Sequence, residues 1–385
     1  MIELREQMSR CTGNGLMAWI RSVFAKPVVF GILGVTLLAS GCVHQTITAD
    51  ALYVVQRDAK KIAVVENNRL VSEISNIGDM SHATVKFHAG KAWVISRDGM
   101  LSRIDPGTRV VEKSVKVGDS GIGFTFFPKH VIVANYMPQT VVVLDLDLRV
   151  IKTISTGSRN VGIKVWGDRA AFALMDKDEV WVVDAAKEFS VTKQIEKAGV
   201  MPFDALVNDK NYVVGFFNEN KLGILNLDSL QWDTRSLGGE GGETVLKVPH
   251  FGTWGITSDT AFVPGVKERK LNLLALDTLK PAGVIDLPGL PVFAVVSPDK
   301  TLVAVNYSGD QENSVSVVDA KTRKILGTWP VGRRIMHLRF SQDGGSLFVS
   351  SYFENKIKTL KPEKTGVWSV ASDLNIDSPS GIFYQ

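Results

Sequence analysis

Residues 121–145 read GIGFTFFPKHVIVANYMPQTVVVLD, and residues 160–184 repeat the arrangement as NVGIKVWGDRAAFALMDKDEVWVVD. Each stretch holds three short apolar runs that are separated by Pro, Gly, Asp or Asn. Runs of this length between turn formers are typical of β-strands joined by tight turns. No long amphipathic helical pattern is sustained after Asp50. The sequence therefore predicts an all-β fold built from a repeat.

The repeat continues along the rest of the chain. Further copies begin near residues 81, 203, 250, 293 and 337, so that openings are roughly 39 to 47 residues apart. This is the spacing of four-stranded propeller blades. An eighth opening at residues 378–383 lacks its later strands, whereas residues 51–66 contain strands without an opening. Joining them leaves no free edge strand. We therefore predict one eight-bladed β-propeller over residues 51–385, closed by N- and C-terminal strands that share one blade.

The composition excludes several other classes of protein. The chain has 385 residues, of which 45% are hydrophobic and 22% charged, and its formal net charge is +4. This small charge gives little support to nucleic-acid binding. Only Cys11 and Cys42 are present, which excludes a disulfide framework and a Cys-rich metal site. Zinc HExxH, Walker A, GxSxG and CxxCH motifs are absent, so no covalently attached c-type haem is expected.

The N-terminal segment predicts export. Arg21 and Lys26 precede a 13-residue apolar run, residues 28–40, which ends at Gly41-Cys42. This order describes a secretory signal, and the run is shorter than the roughly 20 residues of a membrane span. Residues 37–42, LLASGC, resemble a bacterial lipobox. That resemblance implies a signal peptide over residues 1–41, lipidation of Cys42, and a tether over residues 42–50. A plain signal peptide with an incidental Cys42 is the alternative.

Two sets of loops are expected to meet on one face of the propeller, namely those entering each first strand and those joining second to third strands. Their cationic, imidazole, amide and aromatic groups suit a flat, acidic, partly apolar ligand. The candidates in these loops are His82, Arg97, Asn135, Tyr136, Arg159, Asn160, Asp176, His250 and His337. Taken singly, each also fits a turn-forming or capping role. Three of the six histidines share one repeat position, however, and this favours a ligand.

Several segments resemble the NirF family of haem d1 biosynthesis proteins, which is similar in turn to the d1-binding propeller of cytochrome cd1 nitrite reductase. They are SHATVKF at residues 81–87, SGIGFTF at residues 120–126 and GSRNVGIK at residues 157–164. The resemblance covers about residues 51–385. It implies a periplasmic protein of denitrification that binds haem d1 or a late precursor and helps to convert it. The lack of CxxCH argues against respiratory nitrite reduction by this chain itself.

The resemblance also implies roles for individual residues. His82 matches the histidine of the SHATVKF segment and is the expected axial ligand of the tetrapyrrole iron, with His250 and His337 as competitors. Arg97, Arg159 and Lys86 are expected to bind the carboxylates of the macrocycle. Asp176, favoured over Asp168, is the expected proton carrier if its pKa is raised.

Three functions stay open at this point. The protein is an enzyme that modifies a haem d1 side chain, a non-catalytic carrier or scaffold for assembly of nitrite reductase, or a propeller with a structural role. The resemblance implies partnership with nitrite reductase and other maturation proteins, and a homodimer is a further alternative. The lipid anchor would tie the protein to a membrane, and Val43 after Cys42 favours the outer one.

Overall fold

The computed structural model describes residues 51–239, 241–245, 247–363 and 366–385. The predicted signal peptide, lipidation site Cys42 and tether lie outside this part of the chain. Within it, no helix is long and apolar enough to cross a membrane.

The described residues form 31 β-strands and four short 3₁₀ helices. In chain order the strands are β1 (Leu52–Gln56), β2 (Lys61–Glu66), β3 (Arg69–Ile74), β4 (Thr84–His88), β5 (Lys91–Ile95), β6 (Met100–Asp105), β7 (Val110–Lys116), β8 (Ser120–Phe127), β9 (His130–Met137), β10 (Thr140–Asp145), β11 (Val150–Ser155), β12 (Asn160–Trp166), β13 (Arg169–Leu174), β14 (Glu179–Asp184), β15 (Ser190–Ile195), β16 (Pro202–Asn208), β17 (Asn211–Phe216), β18 (Lys221–Asn226), β19 (Trp232–Ser236), β20 (Thr260–Pro264), β21 (Lys270–Ala275), β22 (Lys280–Asp286), β23 (Leu290–Val296), β24 (Leu302–Ser308), β25 (Ser314–Asp319), β26 (Ile325–Pro330), β27 (Ile335–Phe340), β28 (Leu347–Ser351), β29 (Lys356–Pro362), β30 (Trp368–Asn375) and β31 (Pro379–Tyr384). The 3₁₀ helices are Ala185–Lys187, Thr253–Gly255, Gly309–Gln311 and Tyr352–Glu354.

These strands form eight antiparallel sheets, which are the blades of a propeller. Blades 1 to 4 are β4–β7, β8–β11, β12–β15 and β16–β19; blades 5 to 7 are β20–β22, β23–β26 and β27–β30; blade 8 joins β31 to β1–β3. The predicted all-β, eight-bladed propeller is confirmed.

Blade 8 closes the ring with strands from both ends of the described chain. Its order is β3-β2-β1-β31, and the antiparallel register runs from Leu52↔Tyr384 to Gln56↔Pro379. The turn after β1 is also tied to the C-terminal segment, because the backbone N–H groups of Arg57 and Asp58 donate to Ser378 O and Oγ, both at 2.9 Å. The inner edge of β1 is therefore paired with β31, as the repeat predicted.

Blade 5 departs from the prediction of seven full blades. The segment that should form its first strand makes only two isolated bridges, His250↔Phe293 and Ile256↔Ala261. The segment instead contains the 3₁₀ turn Thr253–Gly255. A side chain at Gly252 would collide with the Trp254 ring, and one at Gly255 would collide with the backbone oxygen of residue 294, so both glycines suit this close packing. The inner edge of blade 5 is thus irregular.

The burial pattern follows from the stacking of the blades. Middle strands such as β10 and β14 are buried along nearly their whole length, because both faces of the sheet pack against neighbouring blades. Outer strands such as β7 and β11 are mostly exposed. The inner strands of blades 2, 3, 4, 6 and 7 each contain a register shift near their start. Such bulges re-aim the side chains that follow them.

A cationic funnel on one face of the propeller

The loops predicted to meet on one face do so around the mouth of the central channel. We call this the funnel, and define it by Arg57, His82, Arg97, Tyr136, Arg159, Asp176, Lys247, His250 and Arg334. Their proximity shows in their mutual effects: the charges of His250, Arg97 and Arg57 all act on His82, and those of Arg334 and Arg57 act on Lys247. Five of these nine residues are arginine or lysine. The funnel therefore attracts an acidic ligand.

Tyr136 lies between two guanidinium groups. The Cζ atoms of Arg97 and Arg159 are each 5.7 Å from the centre of its ring, within the range of cation–π attraction. The Tyr136 hydroxyl contacts Met175 Sδ at 3.2 Å, and burial raises the pKa of the phenol. The arrangement presents an uncharged aromatic ring that is flanked by positive charge.

Asp176 is the partner of Arg159. Arg159 Nη2 and Nε donate to Asp176 Oδ1 at 2.6 and 2.9 Å, and the backbone N–H of Arg159 donates to Oδ2 at 2.8 Å. These bonds, chiefly those from the guanidinium, lower the pKa of Asp176. The predicted role of Asp176 in proton transfer required a raised pKa, whereas its contacts with Arg159 lower the pKa. Asp176 is an ionised group that orients Arg159.

His82 lies on the rim of the funnel, in the loop before β4, and its side chain is exposed. The protein around His82, and then the charges of His250 and Arg97, lower the pKa of this histidine, and the solvent at its exposed edge limits the effect. The imidazole is consequently neutral near pH 7. A neutral imidazole is the form that ligates a metal.

His250 makes a partly buried pair with Asp204, a carboxylate that the sequence analysis missed. Its Nδ1 donates to Asp204 Oδ2 at 3.2 Å, and the backbone N–H of Ala205 donates to Oδ1 at 2.8 Å. Burial alone would raise the pKa of Asp204, but His250 and the nearby Lys164 outweigh it and lower the pKa. The His250 ring also stacks on Phe293, with centroids 4.9 Å apart. Asp204 thereby fixes the orientation of the His250 imidazole.

His337 occupies the same repeat position but a different environment. Its side chain is buried between the Phe293 and Phe383 rings, at centroid distances of 4.7 and 5.5 Å. The backbone N–H of Ile382 donates to its Nδ1 at 3.3 Å, and burial lowers its pKa well below the usual range. These contacts tie blade 7 to blade 8.

Asn135 and Asn160 are fully buried and hold neighbouring loops together. Asn135 Nδ2 donates to Val117 O at 2.9 Å, while Asn160 Nδ2 donates to Asn135 O at 3.0 Å and Ser158 O at 2.9 Å. These contacts match the turn-stabilising alternative.

Lys86 lies deeper, on β4 within the central channel. Its Nζ donates to the backbone oxygen of Phe124. Burial and then the charge of Lys164 lower the pKa of Lys86 to about 7.

The sequence analysis missed several charged groups of the funnel and channel, namely Arg57, Asp204, Lys164, Lys247 and Arg334. The place of Arg57 in the funnel could have been predicted, because Arg57 follows the second strand of its blade, as Arg97 does. Lys247 lies in the long connection before blade 5, which has no counterpart in the other repeats. Among the described residues, no group of three or more His, Cys, Asp or Glu side chains is placed to hold a metal ion.

Comparison with known proteins identifies related chains. The family described as "Cytochrome D1 heme domain" matches residues 48–385. The chain is 30% identical over 383 residues to Protein NirF of Stutzerimonas stutzeri, covering 92% of this chain and 97% of that protein. It is 28% identical over 377 residues to Protein NirF of Pseudomonas aeruginosa, covering 91% and 95%. The family resemblance predicted from the sequence is confirmed.

Solved structures share the fold. The dihydro-heme d1 dehydrogenase NirN in complex with DHE superposes with a TM-score of 0.74 at 18% identity, covering 88% of this chain and 75% of that one. Apo AztD from Citrobacter koseri gives a TM-score of 0.67 at 13% identity, covering 87% and 97%. These likenesses concern the architecture of the propeller.

Proposed function

The chain belongs to the cytochrome D1 haem domain family, and from this premise we propose that its funnel binds haem d1 or a late precursor in haem d1 biosynthesis. One observation carries the proposal: a neutral imidazole, His82, stands on the rim beside arginines that flank the Tyr136 ring. The relatives called Protein NirF and the solved complex of NirN with DHE support it.

The residues of the funnel fit a tetrapyrrole with acidic side chains. The His82 imidazole is suited to ligating the iron, which supplies redox and ligand-binding chemistry when the macrocycle is present. Arg97 and Arg159 are suited to pairing with carboxylates, and Asp176 fixes the plane of the Arg159 guanidinium. The Tyr136 ring offers an aromatic surface between them.

We further propose that the protein acts on a side chain of the tetrapyrrole rather than only carrying it. The partly buried His250–Asp204 pair favours this, because a carboxylate that orients an imidazole is an arrangement suited to proton transfer. Lys164 lies 3.9 Å from Asp204 and helps to keep that carboxylate ionised. A carrier would need no such pair.

The proposed cellular location follows from the N-terminal segment of the sequence. We propose a periplasmic protein that is anchored by a lipid on Cys42 and supplies its product to nitrite reductase or to other maturation proteins. The lipobox-like residues 37–42 support this.

Titration of the purified protein with haem d1, followed by visible absorption, tests the proposal. The wild type should give a saturable spectral change. Arg97→Met and Arg159→Met should each weaken binding about tenfold, as expected for one lost charge-assisted hydrogen bond. Arg149→Met is the matched control, because Arg149 is exposed in the turn between β10 and β11, away from the funnel.

Absence of saturable binding in the wild type would contradict the proposal. Equal weakening in Arg149→Met would show that net charge, not the funnel, governs binding. Incubation with a late precursor then separates an enzyme from a carrier: His250→Ala should stop turnover while binding persists.

A further inference from the structure

The outer strands of five blades carry exposed apolar side chains close to where each strand begins. Each outer strand follows the turn that joins the third strand of its blade to the fourth. The apolar residues lie at the end of that turn or among the first three residues of the strand, and each is 36% to 58% exposed. We call them the apolar arc: Leu70 and Val71 in blade 8, Val110 in blade 1, Val150 and Ile151 in blade 2, Ile325 and Leu326 in blade 6, and Val367 and Val370 in blade 7.

The arc is confined to one side of the ring. Blades 6, 7, 8, 1 and 2 are consecutive, because blade 8 closes the ring between blades 7 and 1. The outer strands of blades 3, 4 and 5 begin with Ser190, the half-buried Trp232 and Lys280, and none of these three strands has an exposed large hydrophobic residue among its first three positions. Single exposed apolar side chains are ordinary on a protein surface, but their restriction to consecutive blades marks an interaction surface.

The arc and the funnel lie at opposite faces of the propeller. Successive strands of a blade are antiparallel, so the loops that enter first strands and those that join second to third strands share one face. The turns between third and fourth strands lie at the other face, and the arc follows these turns. A contact on the arc therefore leaves the funnel open.

Blade 8, in the middle of the arc, is where the chain from the predicted tether enters the propeller. β1 is the second strand of this blade, so Leu52 at its start lies at the same face as the arc. Eight residues separate Cys42 from Ala51, and a segment of this length spans at most about 30 Å. A lipid on Cys42 would consequently tie this face to a membrane.

Basic side chains are interspersed with the arc. Arg69, Arg149, Lys321 and Lys324 are exposed beside its apolar residues. The turn of blade 6, residues 320–324, contains three basic residues and no acidic one. Basic groups attract anionic phospholipid headgroups, while neighbouring apolar side chains enter the boundary of the acyl chains.

We propose that the apolar arc is a membrane-binding surface that lies on the headgroup region of an anionic phospholipid bilayer, with the funnel facing away from it. The choice of a membrane rests on the proposed anchoring through Cys42 and on the basic residues of the arc. One or two side chains per blade form a discontinuous stripe. A folded partner needs a continuous patch of about 800 Å², whereas a lipid surface adapts to separate side chains.

Co-sedimentation with vesicles tests the proposal on the full chain carrying Cys42→Ser, which removes the proposed lipid. The probes are vesicles of phosphatidylethanolamine with phosphatidylglycerol, and neutral vesicles of phosphatidylcholine. The chain should bind the anionic vesicles more tightly than the neutral ones. Val150→Ser and Leu326→Ser should each reduce this partitioning about three- to tenfold, as expected when part of one apolar side chain no longer leaves water.

Val284→Ser is the matched control, because Val284 is 47% exposed on the outer strand of blade 5, outside the arc. Circular dichroism verifies that each variant is folded. Absence of binding to anionic vesicles overturns the proposal, as does equal partitioning of the arc variants and the parent chain, or an equal loss in Val284→Ser.

Sedimentation velocity without vesicles examines the other occupant, a second copy of the chain. Self-association that Leu326→Ser abolishes would assign the arc to a dimer and overturn the membrane assignment. The anchor and the funnel have readouts of their own, namely the cellular fractionation of Cys42→Ser and the titration with haem d1. Failure of either proposed function is therefore distinguishable from failure of the arc.

Discussion

Removal of residues 378–385 takes the innermost strand out of blade 8. Ile382 on that strand is fully buried, and burial of an isoleucine side chain contributes about 1.5–3 kcal/mol. Five residues of β1 lose their partners in β31, and each net hydrogen bond is worth about 0.5–1.5 kcal/mol. The truncation should therefore cost about 4–10 kcal/mol, which rivals the whole stability of many domains.

Thermal unfolding followed by circular dichroism measures this effect. The truncated chain should be unfolded at room temperature or melt more than about 10 °C below the full chain. Ile382→Ala, which empties the buried position but keeps the strand, should lose about 2–5 kcal/mol. Val110→Ser on the exposed outer edge of blade 1 is the control and should change stability by less than about 0.5 kcal/mol. A truncated chain that melts within about 2 °C of the full one would refute the role of closure.

Three further predictions concern single residues. His82→Ala should shift the absorption spectrum of bound haem d1 by removing an imidazole, whereas His337→Ala should leave the spectrum unchanged and lower the melting temperature; the reverse pattern would move the iron ligand to His337. The pKa of Lys86 is about 7 in the folded chain and about 10.4 in the unfolded chain. Between these two pH values the unfolded chain binds more protons, so the free energy of unfolding rises with pH. Lys86→Met should flatten that rise in urea unfolding from pH 7 to 9, and an unchanged slope would contradict the assigned cause. Cys42→Ser should release the protein from membranes into the soluble fraction; an unaltered fractionation would exclude lipid anchoring.

The architecture was predictable because one pattern recurs along the chain. Short apolar runs between turn formers predict strands, their spacing predicts blades, and the incomplete copies at the two ends predict the shared blade. Blade 5 could not be foreseen in the same way. The spacing of its copy is normal, and nothing in its residue pattern distinguishes the 3₁₀ turn Thr253–Gly255 and the isolated bridges from a regular strand.

The rim of the funnel was largely predictable and the channel was not. Loop residues such as Arg97 and Arg159 follow from their place in the repeat. Asp204 and Lys164 lie inside inner strands, where orientation depends on register. Asp204 lies within the bulge between Pro202 and Ala205 in β16. Lys164 lies at the end of the bulge between Val161 and Lys164 in β12. A bulge reverses the simple alternation of side chains, so a period of two cannot tell which residues face the channel.

The pairing of β31 with β1 also couples the assembly of the funnel to the closure of the ring. The backbone N–H of Arg57 donates to Ser378 O, and Arg57 belongs to the same funnel as His82 near the start of the fold. The circle of positive charge is therefore assembled from strands that are far apart in the sequence. Opening of blade 8 would displace Arg57 and leave a gap in the rim, so that the electrostatic character of the funnel depends on the integrity of the ring.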